Sequence, residues 1–252
     1  MILITGATSG IGKASAELLA RNHKNLFLVG RRGERLEKIK TELEKKHPIS
    51  VEISELDVSS KQAVEDFAKK HSTQLQQVEA LINNAGLAMG RDLIHEGKTD
   101  DWDKMIDVNL KGLLYVTHEV LPFFVKKKSG HVVNVGSVAG RWIYPRGNIY
   151  CATKAAVAAL TQSLRQDLLG TGIRVTEISP GMVETEFSLV RFSGDETKAK
   201  AIYEGMKPLS AQDIAEAIVW CLMRPEHVNI QEVVIYPTQQ ASTSLVHRNS
   251  NS

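Results

Sequence analysis

A glycine-rich turn at residues 5–12 constrains the fold of this chain more than any other sequence feature. It follows the apolar run Ile2–Thr5 and precedes a stretch whose apolar residues recur at helical spacing. Gly6 permits a tight turn, Gly10 lets the backbone approach a pyrophosphate, and Gly12 lets the helix pack closely on the strand. Free amides at the helix N-terminus then face an anion. This order of strand, glycines and helix predicts a dinucleotide-binding unit rather than a glycine-rich hairpin.

The rest of the chain alternates short apolar runs with longer stretches of helical periodicity, which predicts parallel strands joined by helical crossovers. The predicted strands cover residues 2–5, 26–29, 51–56, 80–83, 132–136, 174–178 and 232–236. We therefore expect an α/β protein with a doubly wound parallel sheet of the Rossmann type and helices on both faces. Two long connections, at 86–98 and 180–208, follow strand ends where such sheets place their ligand crevice. We interpret both as substrate walls, and the second as a lid.

Local signals predict where several helices begin. Asp57 and Ser59 offer N-cap oxygens for a third helix. Thr99 and Asp100 offer them for a long helix beginning near Trp102.

A further helix is predicted over residues 150–169, ended by Gly170. Neither a repeat nor a shift in composition marks a boundary, so we expect one catalytic domain over residues 1–240 that includes the 180–208 lid. Residues 241–252 form a polar tail that is either disordered or an arm embracing another subunit.

Composition excludes several classes of function. The 31 Lys and Arg residues nearly balance the 29 Asp and Glu residues, which argues against a nucleic-acid or membrane surface. Two widely spaced cysteines, Cys151 and Cys221, fit neither a disulfide framework nor a metal site. The first strand starts next to Met1, which leaves no room for a signal peptide, and no apolar run reaches the roughly 18 residues of a membrane span. We expect a cytoplasmic enzyme with no metal.

The end of the second predicted strand distinguishes between dinucleotides. A site for NAD usually places an acidic residue there, whereas this chain has Arg31 and Arg32. A guanidinium can bind a 2′-phosphate through two hydrogen bonds, so the sequence favours NADP(H). One of the two arginines is readily explained as a solvated charge, and Arg31, which is nearer the strand, is the better candidate for the phosphate.

Tyr150 and Lys154 are four residues apart, which places them on one face of a helix. A nearby ammonium stabilises a phenolate and is expected to lower the pKa of the tyrosine. The pair therefore predicts a general acid and base. Ser137 supplies a hydroxyl for a developing alkoxide. A serine nucleophile is the alternative, but Ser137 lacks the Gly-x-Ser-x-Gly elbow and no His/Asp pair is evident.

Together with the glycine turn, the Asn83 to Gly86 motif, Ser137 and the Tyr150/Lys154 pair make the chain resemble the short-chain dehydrogenase/reductase family over essentially its whole length. The resemblance implies that Tyr150 exchanges the substrate proton and Ser137 binds the substrate oxygen. It implies that Lys154 also holds the nicotinamide ribose. Asn109 would support a water that links Lys154 to solvent. A homotetramer, assembled through the helices that begin near Trp102 and Tyr150, is also implied.

The same resemblance implies a set of cofactor contacts, with Asp57 beside the adenine, Asn83 near the ribose, and Gly181 and Thr185 at the nicotinamide carboxamide. The predicted cofactor-binding residues are Thr5, Gly6, Ser9, Gly10, Ile11, Gly12, Arg31, Arg32, Asp57, Val58, Asn83, Ala85, Gly86, Tyr150, Lys154, Pro180, Gly181, Val183 and Thr185.

Longer stretches, including residues 84–90, 180–192 and 236–241, are similar to the NADP-dependent 3-hydroxy acid dehydrogenase branch of that family. This similarity implies small substrates such as serine, allo-threonine, 3-hydroxypropionate or 3-hydroxybutyrate. A substrate carboxylate needs a cation, for which Arg146 is the first candidate and Arg191 the second. Arg141 and Arg91 rank below them.

Two other functions remain open on the sequence. One is a broad carbonyl or diketone reductase, which would not need a carboxylate-binding arginine. The other is a non-catalytic module that senses NADP(H), because dinucleotide folds can serve binding alone. The complete set of Asn109, Ser137, Tyr150 and Lys154 argues against the second.

Overall fold

The computed structural model describes residues 1–249, so residues 250–252 of the predicted tail lie outside the described residues. The centre of the fold is a seven-stranded sheet in the order β3-β2-β1-β4-β5-β6-β9, and all of its strand pairs are parallel. The strands of the described chain are β1 (Ile2–Thr5), β2 (Leu26–Gly30), β3 (Val51–Glu55), β4 (Ala80–Asn83), β5 (Gly130–Val135), β6 (Ile173–Pro180), β7 (Val183–Glu184), β8 (Leu209–Ser210) and β9 (Glu232–Ile235). The predicted doubly wound α/β fold is confirmed.

Helices cover both faces of the sheet. They are α1 (Gly10–Arg21), α2 (Gly33–Lys46), α3 (Lys61–Lys70), α4 (Ser72–Gln76), α5 (Thr99–Ile106), α6 (Leu113–Lys127), α7 (Asn148–Asp167), α8 (Glu186–Arg191), α9 (Glu196–Ala201) and α10 (Ala211–Leu222). A π-helical segment, Asp107–Gly112, joins α5 to α6, and a 3-10 turn, Val138–Gly140, follows β5.

Two apolar cores follow from the alternation of side chains along the strands. On one face Ile4 and Leu28 pack with α1, α2 and α10. On the other face Leu3 and Phe27 pack with α3, α6 and α7. Because both faces are covered, the central strands are mostly apolar, and every residue of β1 and β2 is buried.

The strand order reverses between β1 and β4, since β2 and β3 extend to one side of β1 while β4, β5 and β6 extend to the other. At such a reversal the loops leave the carboxyl ends of neighbouring strands in opposite directions and open a crevice. The glycine turn after β1 and the Asn83 to Gly86 motif after β4 both lie there.

Two predicted helix caps are wrong. Ser60 caps α3 by accepting a hydrogen bond from the backbone N–H of Ala63 at 3.3 Å, whereas Asp57 accepts from the backbone and hydroxyl of Ser59 in the preceding turn. Thr99 does not cap the next helix, because it is already the first residue of α5. The short Asp57 side chain favours the local turn over the more distant helix terminus.

The segment 180–208, expected to be irregular, contains β7, α8 and α9. The described part of the tail, together with Gln240 just before it, folds back on this segment. Gln240 Oε1 accepts a hydrogen bond from the backbone N–H of Met182 at 2.8 Å, and an Arg248 guanidinium nitrogen donates to the carbonyl oxygen of Ile202 at 2.9 Å. The described tail therefore holds the predicted lid of its own chain.

Candidate active site

A cleft of about 1120 Å³ lies at the carboxyl ends of the strands and runs from the glycine turn to α8. Most of the predicted site residues line it: Gly6, Ser9, Gly10, Ile11, Arg31, Arg32, Asp57, Val58, Ala85, Gly86, Ser137, Arg146, Tyr150, Lys154, Pro180, Gly181, Val183, Thr185 and Arg191. Four predicted residues, Thr5, Gly12, Asn83 and Asn109, do not line the cleft and lie behind it.

The glycine turn is built by close packing beneath the cleft. A Cβ atom on Gly12 would lie 2.5 Å from the carbonyl oxygen of Gly6 and 2.5 Å from the side-chain nitrogen Nδ2 of Asn84, so only glycine fits this position. Thr5 accepts hydrogen bonds from the backbone N–H groups of Asn84 and Ala85 at 3.0 Å each. These contacts fasten the turn after β1 to the loop after β4.

Asn84 is a structural residue to which the sequence analysis gave no role of its own. Its side-chain amide donates to the carbonyl oxygens of Thr5 and Gly6 at 3.0 and 3.1 Å. The prediction that Asn83 helps hold the backbone around the cofactor ribose stays a prediction. Its buried side-chain amide donates hydrogen bonds to Thr117 and Asn134, so the side chain points away from the cleft and into the sheet.

The two arginines after β2 differ in their contacts. Arg32 donates to the hydroxyls of Thr8 and Ser9 at 2.8 Å and forms an ion pair with Glu186 at 2.8 Å. Arg31 is exposed, and within residues 1–249 its side chain has neither a hydrogen bond nor an ion pair. Arg32 is therefore bound to the glycine turn, whereas Arg31 lines the cleft and its side chain makes no such contact within the described chain.

Tyr150 and Lys154 lie in the first half of α7 and enter the cleft together, as their spacing predicts. The Tyr150 ring packs against Phe187 with centroids 5.6 Å apart. The Lys154 ammonium donates to the carbonyl oxygen of Val135 at 2.8 Å. Ser137, which follows β5, accepts from the backbone N–H of Ala139 at 3.1 Å and lies beside Tyr150.

The predicted lowering of the Tyr150 pKa by Lys154 is not what this geometry produces. Burial raises the pKa of the Tyr150 phenol, and Tyr144 adds to this rise, while the Ser137 hydroxyl and the Arg191 guanidinium oppose it. The Lys154 ammonium is engaged by Val135 instead. Burial lowers the pKa of Lys154 to about 8, and the Glu177 carboxylate acts in the opposite direction.

Asn109 lies in the π-helical segment, a distortion that often marks functional sites. Its side-chain oxygen Oδ1 accepts a hydrogen bond from the backbone N–H of Leu87 at 2.8 Å, and its side-chain nitrogen Nδ2 donates to the backbone carbonyl oxygen of Leu87 at 2.8 Å. A Cβ atom on Gly86 would lie 3.3 Å from Asn109 Oδ1 and 3.6 Å from Lys154 Nζ. Asn109 thus holds the loop after β4 next to Lys154.

Arginines surround Tyr144 at the far end of the cleft. The Arg191 side chain is buried, donating to the carbonyl oxygen of Gly90 at 3.1 Å and to the Tyr144 hydroxyl at 3.0 Å. Its guanidinium carbon lies 5.7 Å from the centroids of both the Tyr144 and Tyr150 rings. The Arg91 guanidinium carbon lies 5.8 Å from the centroid of the same Tyr144 ring, and Arg146 donates to the Arg91 carbonyl oxygen at 3.3 Å.

The four arginine candidates differ in their position in the structure. Arg191, ranked second, is the buried cation next to Tyr150, and Arg91, ranked low, joins it in the cleft. Arg141 is not among the residues that line the cleft and forms an ion pair with Glu232. Tyr144, whose ring both Arg91 and Arg191 contact, was not predicted, because these two arginines are distant from it in sequence.

Residues 1–249 contain no group of three or more His, Cys, Asp or Glu side chains that could hold a metal ion. Over the same residues, the structure has no helix both long and apolar enough to cross a membrane.

Comparison with known proteins identifies the family. The family described as short chain dehydrogenase matches residues 1–195. The chain belongs to the short-chain dehydrogenase family. The predicted membership is confirmed, and with it the predicted class of oxidoreductase that acts on CH–OH groups.

Similarity to individual short-chain dehydrogenases extends over nearly the whole chain. The chain is 44% identical over 250 residues to the NADP-dependent 3-hydroxy acid dehydrogenase YdfG of Salmonella typhi, covering 98% of this chain and 99% of that protein. It is 44% identical over 242 residues to sulfoacetaldehyde reductase 2 of Chromohalobacter salexigens, covering 96% and 95% of the two chains. A closed form of serine dehydrogenase complexed with NADP⁺ superposes with a TM-score of 0.92 at 42% identity, covering 98% of this chain and 99% of the other.

Proposed function

We propose that this chain transfers a hydride between NADP(H) and the hydroxyl-bearing carbon of a small 3-hydroxy acid. The observation that carries the proposal is the position of Arg191, a buried cation 5.7 Å from the ring centroid of Tyr150. Within residues 1–249 none of Arg91, Arg146 and Arg191 forms an ion pair. A group of uncompensated arginines next to a general acid and base calls for an anionic substrate.

NADP(H) fits the other half of the cleft. The tight packing at Gly12 presents the first amides of α1 to a pyrophosphate, and the Thr8 and Ser9 hydroxyls lie beside Arg32. Arg31 is available for a 2′-phosphate, as the sequence predicts. When bound, the nicotinamide supplies the hydride acceptor for oxidation and the donor for reduction.

The chain's own residues handle the proton. Tyr150 accepts the proton of the substrate hydroxyl during oxidation and returns it to the oxygen during reduction. Because burial raises the pKa of the phenol, the protonated form that reduction needs is favoured in the protein chain by itself. Ser137 donates a hydrogen bond to the same oxygen, which strengthens as negative charge develops on it. Lys154 lies on the same face of α7 as Tyr150 and is held by the Val135 carbonyl oxygen, and Asn109 fixes the adjoining loop.

A carboxylate on the substrate would be held by Arg191. Arg91 lies over the same Tyr144 ring and is close enough to add its positive charge. A sulfonate is the second candidate, favoured by the similarity to sulfoacetaldehyde reductase 2 and by the presence of more than one guanidinium. A sulfonate has three oxygens to be satisfied rather than two, which suits two arginines.

We also propose that the protein is a cytoplasmic homotetramer. Support for assembly comes from α6, where the apolar side chains of Leu114 and Val125 are 39% and 44% exposed. Support for a reducing compartment comes from Cys151 and Cys221, which are both buried and unpaired. Light scattering of the purified protein tests the tetramer.

The direct test of the activity is an absorbance assay of nicotinamide reduction with NADP⁺, using NAD⁺ as the control. The panel contains 3-hydroxybutyrate, serine, 2-hydroxyethylsulfonate and the uncharged 2-butanol. We expect turnover with the acids and NADP⁺. Equal turnover of 2-butanol would instead support the broad carbonyl reductase, and tight NADPH binding without any turnover would support the non-catalytic module.

A further inference from the structure

Glu177 places a carboxylate in the interior of the sheet. It lies on β6 with 1% of its surface exposed, among residues that are mostly apolar. Its Oε1 atom accepts a hydrogen bond from the Ser179 hydroxyl at 2.7 Å. Burying a carboxylate is costly unless it is paired and hydrogen-bonded. Burial raises the pKa of the Glu177 carboxyl and Glu232 adds to the rise, whereas the Ser179 hydroxyl and the charges of Arg141 and Lys154 oppose it.

Several charged groups from different elements face this carboxylate. Lys154 and Arg165 approach it from α7, and Arg141 approaches from the loop that follows the 3-10 turn. Glu232 on β9 is the opposing carboxylate and is paired with Arg141. Three cations thus face two carboxylates. Of the three, Lys154 belongs to the active site.

The connection to the active site runs through two consecutive residues at the end of β5. The carbonyl oxygen of Val135 accepts the hydrogen bond from Lys154 Nζ at 2.8 Å. At the next residue, Gly136, a Cβ atom would lie 2.4 Å from Glu177 Oε1, so the carboxylate packs directly on this glycine. Ser137 follows immediately. The carboxylate therefore lies behind the backbone that carries Ser137 and binds Lys154.

We propose that Glu177 is a positioning residue that keeps the Lys154 ammonium charged and directed at Val135. The proposal concerns the proton on Lys154. Its consequence for turnover rests on the proposed oxidoreductase function.

The sign of the effect follows from burial. Desolvation lowers the pKa of Lys154 to about 8, and the negative charge of Glu177 opposes this lowering. Removing that charge while keeping the shape lowers the pKa of Lys154 further. The lysine then loses its proton at a lower pH, and the alkaline limb of the activity profile moves in the same direction.

The test is a ¹³Cε-lysine NMR titration of the protein without cofactor, with the Lys154 signal assigned from K154R. In E177Q we expect the Lys154 midpoint to fall by about 1 pH unit, the lower end for an opposite charge at close range. E177D retains the charge, so its Lys154 midpoint should lie close to that of the unsubstituted protein. Glu52→Gln, the same substitution on β3 of the same sheet, should leave it unchanged.

An unchanged Lys154 midpoint in E177Q overturns the proposal. Should E177Q fail to fold, the ¹³Cδ signal of Glu177 in the unsubstituted protein is measured instead, because it reports whether the carboxyl is ionised. An ionised carboxyl at pH 7 supports the proposal, and a protonated one overturns it. Because neither measurement uses a substrate, an enzyme that turns over no acid while its Lys154 midpoint still shifts would count against the proposed function and not against this one.

Discussion

The Arg191 guanidinium donates a hydrogen bond to the Tyr144 hydroxyl at 3.0 Å, and through this contact two residues from distant parts of the chain form one wall of the cleft. The same guanidinium lies over the Tyr150 ring at 5.7 Å. A cation fixed in this way is oriented before substrate arrives, so little side-chain freedom remains to be lost on binding.

Arg191→Ala is expected to lower kcat/KM for 3-hydroxybutyrate by roughly 10- to 100-fold, the equivalent of a charged hydrogen bond of about 1.5–3 kcal/mol. Turnover of a neutral ketone should change far less, because it makes no ion pair. Steady-state kinetics with both substrates checks this. Arg224→Ala on the distant surface is the matched control, and an equal loss for acid and ketone would contradict a carboxylate contact.

Arg31→Ala should raise the KM for NADP⁺ by roughly 10-fold or more while leaving the KM for NAD⁺ nearly unchanged, because only NADP⁺ carries the 2′-phosphate. Initial rates with each cofactor provide the measurement. Arg35→Ala is the control, since Arg35 pairs with Glu186 and is not among the residues that line the cleft. A loss of the same size with NAD⁺ would show that Arg31 acts on the fold rather than on the phosphate.

Tyr150→Phe removes the proposed acid and base and should reduce kcat by about 10²- to 10⁴-fold. NADPH affinity, measured by fluorescence, should stay within a few-fold of the original value, because the ring and its contact with Phe187 are retained. Tyr115→Phe removes one hydroxyl outside the cleft and serves as the control. Retained turnover in the Tyr150→Phe variant would transfer the proton role to another group.

Acid should destabilise the fold through His131. Burial lowers the pKa of this histidine to about 3, and Arg174 adds to the lowering. Below about pH 6.5 the His131 imidazole binds a proton in the unfolded chain but not in the folded one. The stability that comes from keeping this imidazole neutral is therefore fully present above pH 6.5 and is lost as pH falls toward 3.

For a single histidine with this shift, the free energy of unfolding should fall by about 2 kcal/mol between pH 7 and pH 5. Urea denaturation at the two pH values measures it. His131→Gln, which can still reach the Thr176 hydroxyl, should show a smaller difference between them. An identical pH dependence in both proteins would assign the effect to other groups.

The sequence predicted the parts of the site that depend on local spacing and on strand order. Tyr150 and Lys154 share a helical face wherever α7 lies, and parallel strands bring the turn after β1 next to the loop after β4. The ranking of the arginines used distance along the chain, which does not report how the elements pack. Arg146 is near Tyr150 in sequence, yet Arg191 reaches it through the packing of α8.

Cap prediction failed for a related reason. Asp57, Ser59 and Ser60 all carry oxygen atoms able to cap α3, and the choice among them depends on the backbone path out of β3. Glu177 has no sequence signal at all, because a carboxylate in a strand is normally placed on an exposed face. Only the surrounding cations, which come from α7 and from the loop after the 3-10 turn, show why it is buried.

The short helix α8 contacts both halves of the cleft. Glu186 at its start pairs with Arg32 beside the glycine turn, and Arg191 at its end binds the carbonyl oxygen of Gly90 in the opposite wall. A ligand that moves or steadies this helix in one half changes the free energy of filling the other, and linkage makes that coupling equal in both directions. Coenzyme and acid should therefore be cooperative ligands, each raising the affinity for the other by the same factor.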